Sequence, residues 1–269
     1  MKTRYNGSLD YIQKNIYVPQ DFKKISVFDV DGTLSDLNKI PAELSDTLSP
    51  GYGFFIVEFP VLLHKNGLFP EKELKVILES LEEYKKGSIS YEELAENIVT
   101  SVGKGFKGKS KEKLDKLGKK YVESHREKKF PYTDSLINFV EEKGYLPVVV
   151  SASPIELVLP FSTGIGIKKN IFAIVYETDK GKYTGEIILN TGEKEVKRQI
   201  VEEFSNHGIV LEESTGFGDS PQDTAFLELV GYPVVLNPNT KLEEIAKKRK
   251  WLVCKEPENV LDEVKLYIP

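Results

Sequence analysis

Ile25-Ser26-Val27-Phe28-Asp29-Val30-Asp31-Gly32-Thr33 runs from a short apolar stretch into two carboxylates and a glycine. The stretch predicts a strand over 25–30. On an extended chain, side chains two residues apart lie on the same side, so Asp29 and Asp31 face one way. An apolar strand end is a costly place for two neighbouring carboxylates. A divalent cation or a transferred proton resolves that conflict, and one carboxylate can then attack while the other shuttles a proton. Gly32 lets the chain turn sharply directly after the pair. Alone, the same letters also suit a strand that ends in a solvated Asp-Gly turn. The rest of the chain decides between the two.

Working outward, short apolar strands near 146–150, 171–176, 214–217 and 233–236 alternate with helical patterns near 133–143, 154–165, 193–206, 221–229, 240–249 and 258–266. That alternation predicts an α/β fold, a doubly wound parallel sheet with helices on both faces. A β-hairpin is expected over 176–185, turning at Asp179-Lys180-Gly181. The stretch between the first two strands reads differently. Pro70 opens a helix with Leu74, Ile77, Leu78, Leu81 and Tyr84 on one face, and Gly87 stops it. Ser90 and Glu93 form a capping box ahead of a second helix. A third carries Leu114, Leu117, Tyr121 and Val122. The segment 54–63 is apolar nearly all round, with Glu58 inside it. The expected organisation is a core at 1–39, a helical cap at 40–130, and the rest of the core at 131–269. Asp29, Ser151 and Asp219 each end an apolar strand, and parallel strand ends share the edge at which ligands bind.

Four stretches together resemble a known family. Phe28-Asp29-Val30-Asp31-Gly32-Thr33-Leu34 looks like the first motif of the haloacid dehalogenase-like (HAD) superfamily of phosphohydrolases. Val148-Val149-Val150-Ser151-Ala152-Ser153-Pro154 is similar to the second, Lys194 in Thr191-Gly192-Glu193-Lys194 sits where the third places its lysine, and Gly218-Asp219-Ser220-Pro221-Gln222-Asp223 matches the fourth. Val230-Gly231-Tyr232-Pro233-Val234-Val235-Leu236-Asn237-Pro238 resembles subfamily IB, which includes phosphoserine phosphatases. The resemblance implies a Rossmann-like core whose helical insert covers the active site.

It also implies roles. Asp29 would be the nucleophile that forms an aspartyl-phosphate, and Asp31 the acid and then the base. Mg²⁺ would be held by Asp29, the Asp31 carbonyl, Asp219 and Asp223. Ser151, with Ala152 in the same loop, and Lys194 would bind the phosphoryl group. Each has a plainer alternative. Asp219 and Asp223 also suit the start of a helix near 221. Lys194 shares a polar helix start with Glu193, Glu195, Lys197 and Arg198, and it is preferred over Lys197 because it follows Gly192-Glu193. Glu58 suits either a substrate contact or a partly buried surface position.

Two departures from phosphoserine phosphatases bear on substrate. Asn38 stands nine positions after Asp29, where those enzymes carry a glutamate, and Ser151-Ala152-Ser153 replaces Ser-Gly-Gly. The expectation is a Mg²⁺-dependent phosphatase of a small phosphomonoester. The rivals are a phosphotransferase or mutase using the same aspartyl-phosphate, and a non-catalytic Mg²⁺- and phosphate-binding module. Intact Asp31 speaks against the module, because binding needs no proton shuttle.

Composition sets the outer bounds. The 269 residues, 40% apolar and 29% charged, are ordinary for a globular protein. A net charge of −5 gives no support to nucleic-acid or anionic-membrane partners. The lone Cys254 forms no internal disulfide, and the first residues lack the apolar run of a signal peptide. The expected compartment is the cytoplasm; oligomeric state is left open.

Overall fold

A computed structural model describes residues 2–269, with side chains from residue 8 onward. The chain begins with α1 (Lys2–Asn15) and enters the sheet through β1 (Ile25–Phe28). Four helices follow: α2 (Phe55–Lys65), α3 (Glu71–Lys85), α4 (Tyr91–Phe106) and α5 (Lys111–Ser124). The chain then returns through α6 (Thr133–Glu142), β2 (Leu146–Pro154) and α7 (Ile155–Gly164) to a hairpin, β3 (Ile171–Asp179) and β4 (Lys182–Leu189). The last third is α8 (Lys194–Ser205), β5 (Thr215–Gly218), α9 (Thr224–Leu227), β6 (Tyr232–Leu236), α10 (Thr240–Arg249), β7 (Leu252–Cys254) and α11 (Val260–Tyr267).

The seven strands form one sheet in the order β4-β3-β2-β1-β5-β6-β7. All neighbours are parallel except the β3–β4 hairpin at one edge. A sheet covered on both faces buries successive residues on opposite sides, and the two cores show this alternation. Phe28, Val149, Phe217 and Val234 face one layer with Leu136, Leu157 and Val260. Val27, Val148, Val150 and Val235 face the other with Ile12, Ile200, Phe204 and Leu242. β1 sits centrally, where the strand order reverses, with β2 on one side and β5 on the other. That reversal opens the crevice beyond the strand ends.

The hairpin turns at Lys180 and Gly181, with φ of 48° and 75°. Both values lie in the left-handed region that a two-residue turn matching the strand twist requires. The hairpin is longer than its sequence pattern suggests and packs on the helical insert. Gly108 N donates to Tyr183 O at 2.8 Å, Tyr183 N to Lys109 O at 3.0 Å, and Lys111 N to Gly181 O at 2.9 Å. The α4 backbone approaches β4 so closely that a Cβ on Gly103 would lie 2.7 Å from Gly185 O.

Within the insert, α4 starts at the expected capping box of Ser90 and Glu93. α2 is buried on nearly every side, as its composition predicts. Three features differ from the sequence reading. α1 and β7 are additional elements, and the helix expected over 221–229 is a short 3-10 turn followed by the four residues of α9. No helix among the described residues is long and apolar enough to cross a membrane.

Candidate active site

Asp29 leaves the end of β1 with its amide donating to Phe217 O at 3.0 Å, which pins it between β1 and β5. The residue is only 6% exposed. Lys197 Nζ donates to Asp29 Oδ1 at 3.0 Å and to Asp223 Oδ1 at 2.7 Å. This lysine is itself buried. Burial alone would pull its ammonium down, but Asp223 and Asp29 push it above the usual lysine range, so it stays protonated. Lys194, expected in this role, is exposed on the first residue of α8 and makes no hydrogen bond to the site. The correction has a simple cause. Lys197 falls on the same helix face as Ile200, Val201 and Phe204, at the i+3, i+4 and i+7 spacing that turns inward.

Asp29, Asp219 and Asp223 each offer a carboxylate oxygen, and these atoms all lie within 4.8 Å of one another. Burial pushes the Asp29 carboxyl up to about 8 against the pull of Lys197, with Asp223 and Asp31 adding to the rise. Asp219 is raised well above the carboxylate range by burial, then by Asp223 and Asp29. Three carboxylates share one lysine, so a hard dication with oxygen ligands suits the excess negative charge. Asp223 has a second task. Its Oδ2 accepts from Asp219 N at 3.2 Å, Ser220 N at 3.0 Å and Ser220 Oγ at 2.9 Å, so it also caps the turn that presents Asp219. The helix-start reading of this residue and the site reading therefore hold together. Gly32, at φ 90°, passes so near Asp219 that a Cβ there would lie 2.2 Å from Asp219 Oδ2.

Asp31 is also buried, 9% exposed, and burial raises its carboxyl. Oδ2 accepts from Ser153 Oγ at 2.5 Å, and Oδ1 accepts from Phe55 N at 3.2 Å, the first residue of α2. Ser153 Oγ in turn accepts from Ile56 N at 3.1 Å. Ser151 is fully buried at the same strand end; its Oγ accepts from Ser153 N at 3.3 Å, and its carbonyl accepts from Thr191 Oγ1 at 2.5 Å. Ala152, between the two serines, is part-exposed. Sequence reasoning noted Ser153 only as a departure from glycine, and its contact with Asp31 needed the fold.

The insert meets the site along two helix starts. Besides α2, the first turn of α4 stands over the core, and the Tyr91 phenol lies in the field of Lys197, Asp223, Asp29 and Asp219. Tyr91 is a second residue near the site that the sequence reading did not single out. Glu58 is fully buried. It accepts from Lys128 Nζ at 2.7 Å and Tyr121 OH at 2.8 Å, an internal ion pair in place of a substrate contact. Phe59 is wholly buried in the bundle. Asn38 is exposed and folds its amide onto Asp36 Oδ1 at 3.2 Å. A separate groove of about 640 Å³ runs between α5 and α7 past Lys119, Arg126 and Leu159, and none of the site aspartates lines it.

This geometry agrees with what the chain is similar to. The family model of haloacid dehalogenase-like hydrolases matches residues 26–228. A phosphoserine phosphatase of Mycobacterium tuberculosis is 28% identical over 150 residues, 54% of this chain and 48% of that protein. The chain thus spans about half the length of the mycobacterial relatives it matches. A histidinol-phosphatase of Neisseria meningitidis is 25% identical over 237 residues, 86% of this chain and 98% of that one. In three dimensions, a phosphoserine phosphatase solved as a phospho-aspartyl intermediate analogue superposes with a TM-score of 0.61 at 20% identity, covering 92% of this chain and 100% of that one. That likeness speaks for the fold. With three-quarters of its length under the family model and the matching carboxylates drawn to one sheet edge, the chain belongs to the haloacid dehalogenase-like hydrolases.

Proposed function

We propose that the protein is a Mg²⁺-dependent phosphatase that hydrolyses a small phosphomonoester through an aspartyl-phosphate on Asp29. The observation that carries this reading is the division of labour between two buried carboxylates. Asp29 has one oxygen tied to Lys197, while its Oδ2 accepts no hydrogen bond among the described residues and is available to attack. Asp31 sits two residues on, with burial raising its carboxyl toward the range in which it can hold a proton. In the first half-reaction Asp29 Oδ2 bonds to phosphorus, the bond from phosphorus to the ester oxygen breaks, and the Asp31 proton passes to the departing alcohol. In the second, the Asp31 carboxylate takes a proton from the water that attacks phosphorus, and Asp29 is released.

Lys197 and the Ser151 hydroxyl donate to the phosphoryl oxygens, where charge builds in the transition state. Asp29, Asp219 and the Asp31 carbonyl would hold Mg²⁺, with Asp223 behind them. When bound, the ion supplies the positive charge that lets a phosphate dianion approach a carboxylate. The helical insert serves as a cap that keeps bulk water from the site. Asn38 turns to Asp36 and Glu58 to Lys128, so neither is placed to receive an amino-acid ammonium group, which speaks against phosphoserine as the small phosphomonoester.

The test is Asp29→Asn, assayed across a panel of phosphomonoesters with Mg²⁺. A neutral amide forms no acyl-phosphate, so the folded variant is expected to lose turnover by at least about 1,000-fold. Wild-type-like phosphate release from it would defeat the mechanism.

A further inference from the structure

We propose that Ser153 is a positioning residue that makes the placement of Asp31 depend on the docking of α2. The inference rests on the hydrolase reading above and concerns a residue that reading leaves idle. The Ser153 hydroxyl is buried between two partners: it accepts from Ile56 N at 3.1 Å and donates to Asp31 Oδ2 at 2.5 Å. A hydroxyl has one proton and two acceptor lone pairs, and the proton turns to suit its neighbours. The α2 amide occupies the acceptor side, which leaves the proton to point at Asp31. The next amide back, Phe55 N, reaches the other oxygen of the same carboxylate at 3.2 Å. Both oxygens of Asp31 are therefore held either by the start of α2 or by a hydroxyl that α2 orients. Without α2 in place, Asp31 keeps Ser35 Oγ at 3.5 Å and a Ser153 rotor free to turn away.

The chemical consequence lies in the first half-reaction. The Asp31 proton must reach the ester oxygen as the phosphorus–oxygen bond breaks, and a carboxyl free to rotate misses that geometry more often. The Ser153 proton itself does not move. A residue of this kind ties proton delivery to closure, so the acid is in register only when the site is covered. A glycine at this position, as in the Ser-Gly-Gly form of the second motif, has no side chain with which to do this.

The test compares two leaving groups in one variant. An alkyl alcohol must be protonated as it departs, whereas nitrophenolate leaves as a stable anion. We would measure kcat/KM for p-nitrophenyl phosphate and for the alkyl phosphomonoester that the wild-type protein turns over fastest. kcat/KM covers steps up to formation of the aspartyl-phosphate, so the later base role of Asp31 does not enter. In Ser153→Ala the alkyl-to-aryl ratio is expected to fall by about tenfold or more, part of the ~100-fold or larger effect typical of a positioned general acid. Ser153→Thr, which keeps the hydroxyl, is expected to restore much of the ratio. Because the ratio is taken on one sample, partial misfolding cancels from it. A ratio within about twofold of wild type in Ser153→Ala, or a Ser153→Thr protein no better than Ser153→Ala, overturns the inference while leaving the phosphatase intact. A wild-type protein that hydrolyses no phosphomonoester overturns the hydrolase reading and this inference together.

Discussion

Replacing Lys128 by methionine isolates the buried ion pair in the helical insert. Lys128 and Glu58 are 1% and 0% exposed, and Nζ lies 2.7 Å from Oε1. At that separation the pair attracts by about 6 kcal/mol for an effective dielectric constant of about 20. Most of this offsets the cost of taking both charges out of water. Removing one partner leaves that cost uncompensated, at about 3–5 kcal/mol. Lys128→Met keeps the apolar stem, so the loss is chiefly electrostatic, plus the contacts of Nζ with Lys39 O and Gly53 O. Burial already raises Glu58 to about 7 with Lys128 present. Its folded value exceeds its unfolded value, so the native state binds more protons between about 4.5 and 7, and stability falls as pH rises through that window. Without the lysine the fall continues to higher pH. Urea unfolding is therefore expected to give a loss of about 3–5 kcal/mol at pH 8. At pH 5, where Glu58 takes up a proton, the loss shrinks to about 1–2 kcal/mol. Equal losses at both pH values, or less than about 1 kcal/mol at pH 8, would refute the reasoning.

Three further outcomes are expected. Lys197→Ala should lower kcat by about 100-fold or more, whereas Lys194→Ala should stay within about threefold; the reverse ranking in steady-state assays would restore Lys194 to the site. Gly32→Ala forces a Cβ into Asp219 at a φ that side chains rarely adopt, so it should raise the Mg²⁺ concentration needed for half-maximal activity by at least about tenfold. An unchanged metal titration would count against the geometry of that turn. Chelation should abolish phosphate release and added Mg²⁺ should restore it, and full activity in excess chelator would exclude the metal role of Asp219.

How much of this was legible in the sequence depends on range. The sheet was, because β1, β2, β5 and β6 are short uncharged runs, bounded by turns and of strand rather than helix length. The aspartates at the strand ends were legible for the same reason. β7 was not, since three edge residues carry too little pattern. Lys197 was readable in principle. The helical period of Val196, Ile200, Val201 and Phe204 turns it inward, but local resemblance around Gly192 and Glu193 favoured its neighbour. Glu58 with Lys128, and Ser153 with Asp31, are separated by 70 and 122 residues. Nothing local encodes such partners. They are products of the way the insert closes on the sheet.

The hairpin's grip on the insert bears on protein engineering. Swapping the stretch between β1 and β2 for a relative's, to transfer specificity, treats that stretch as a detachable module. Here α4 lies against β4 with room for no side chain between Gly103 and Gly185, and the residues leading into α5 exchange backbone hydrogen bonds with the hairpin. A chimera that exchanges the helices alone inherits a foreign backbone contour at that seam and leaves main-chain donors without acceptors. The unit that can be transplanted is discontinuous: the four helices (ending at Ser124) together with β3 and β4, which begin only at Ile171.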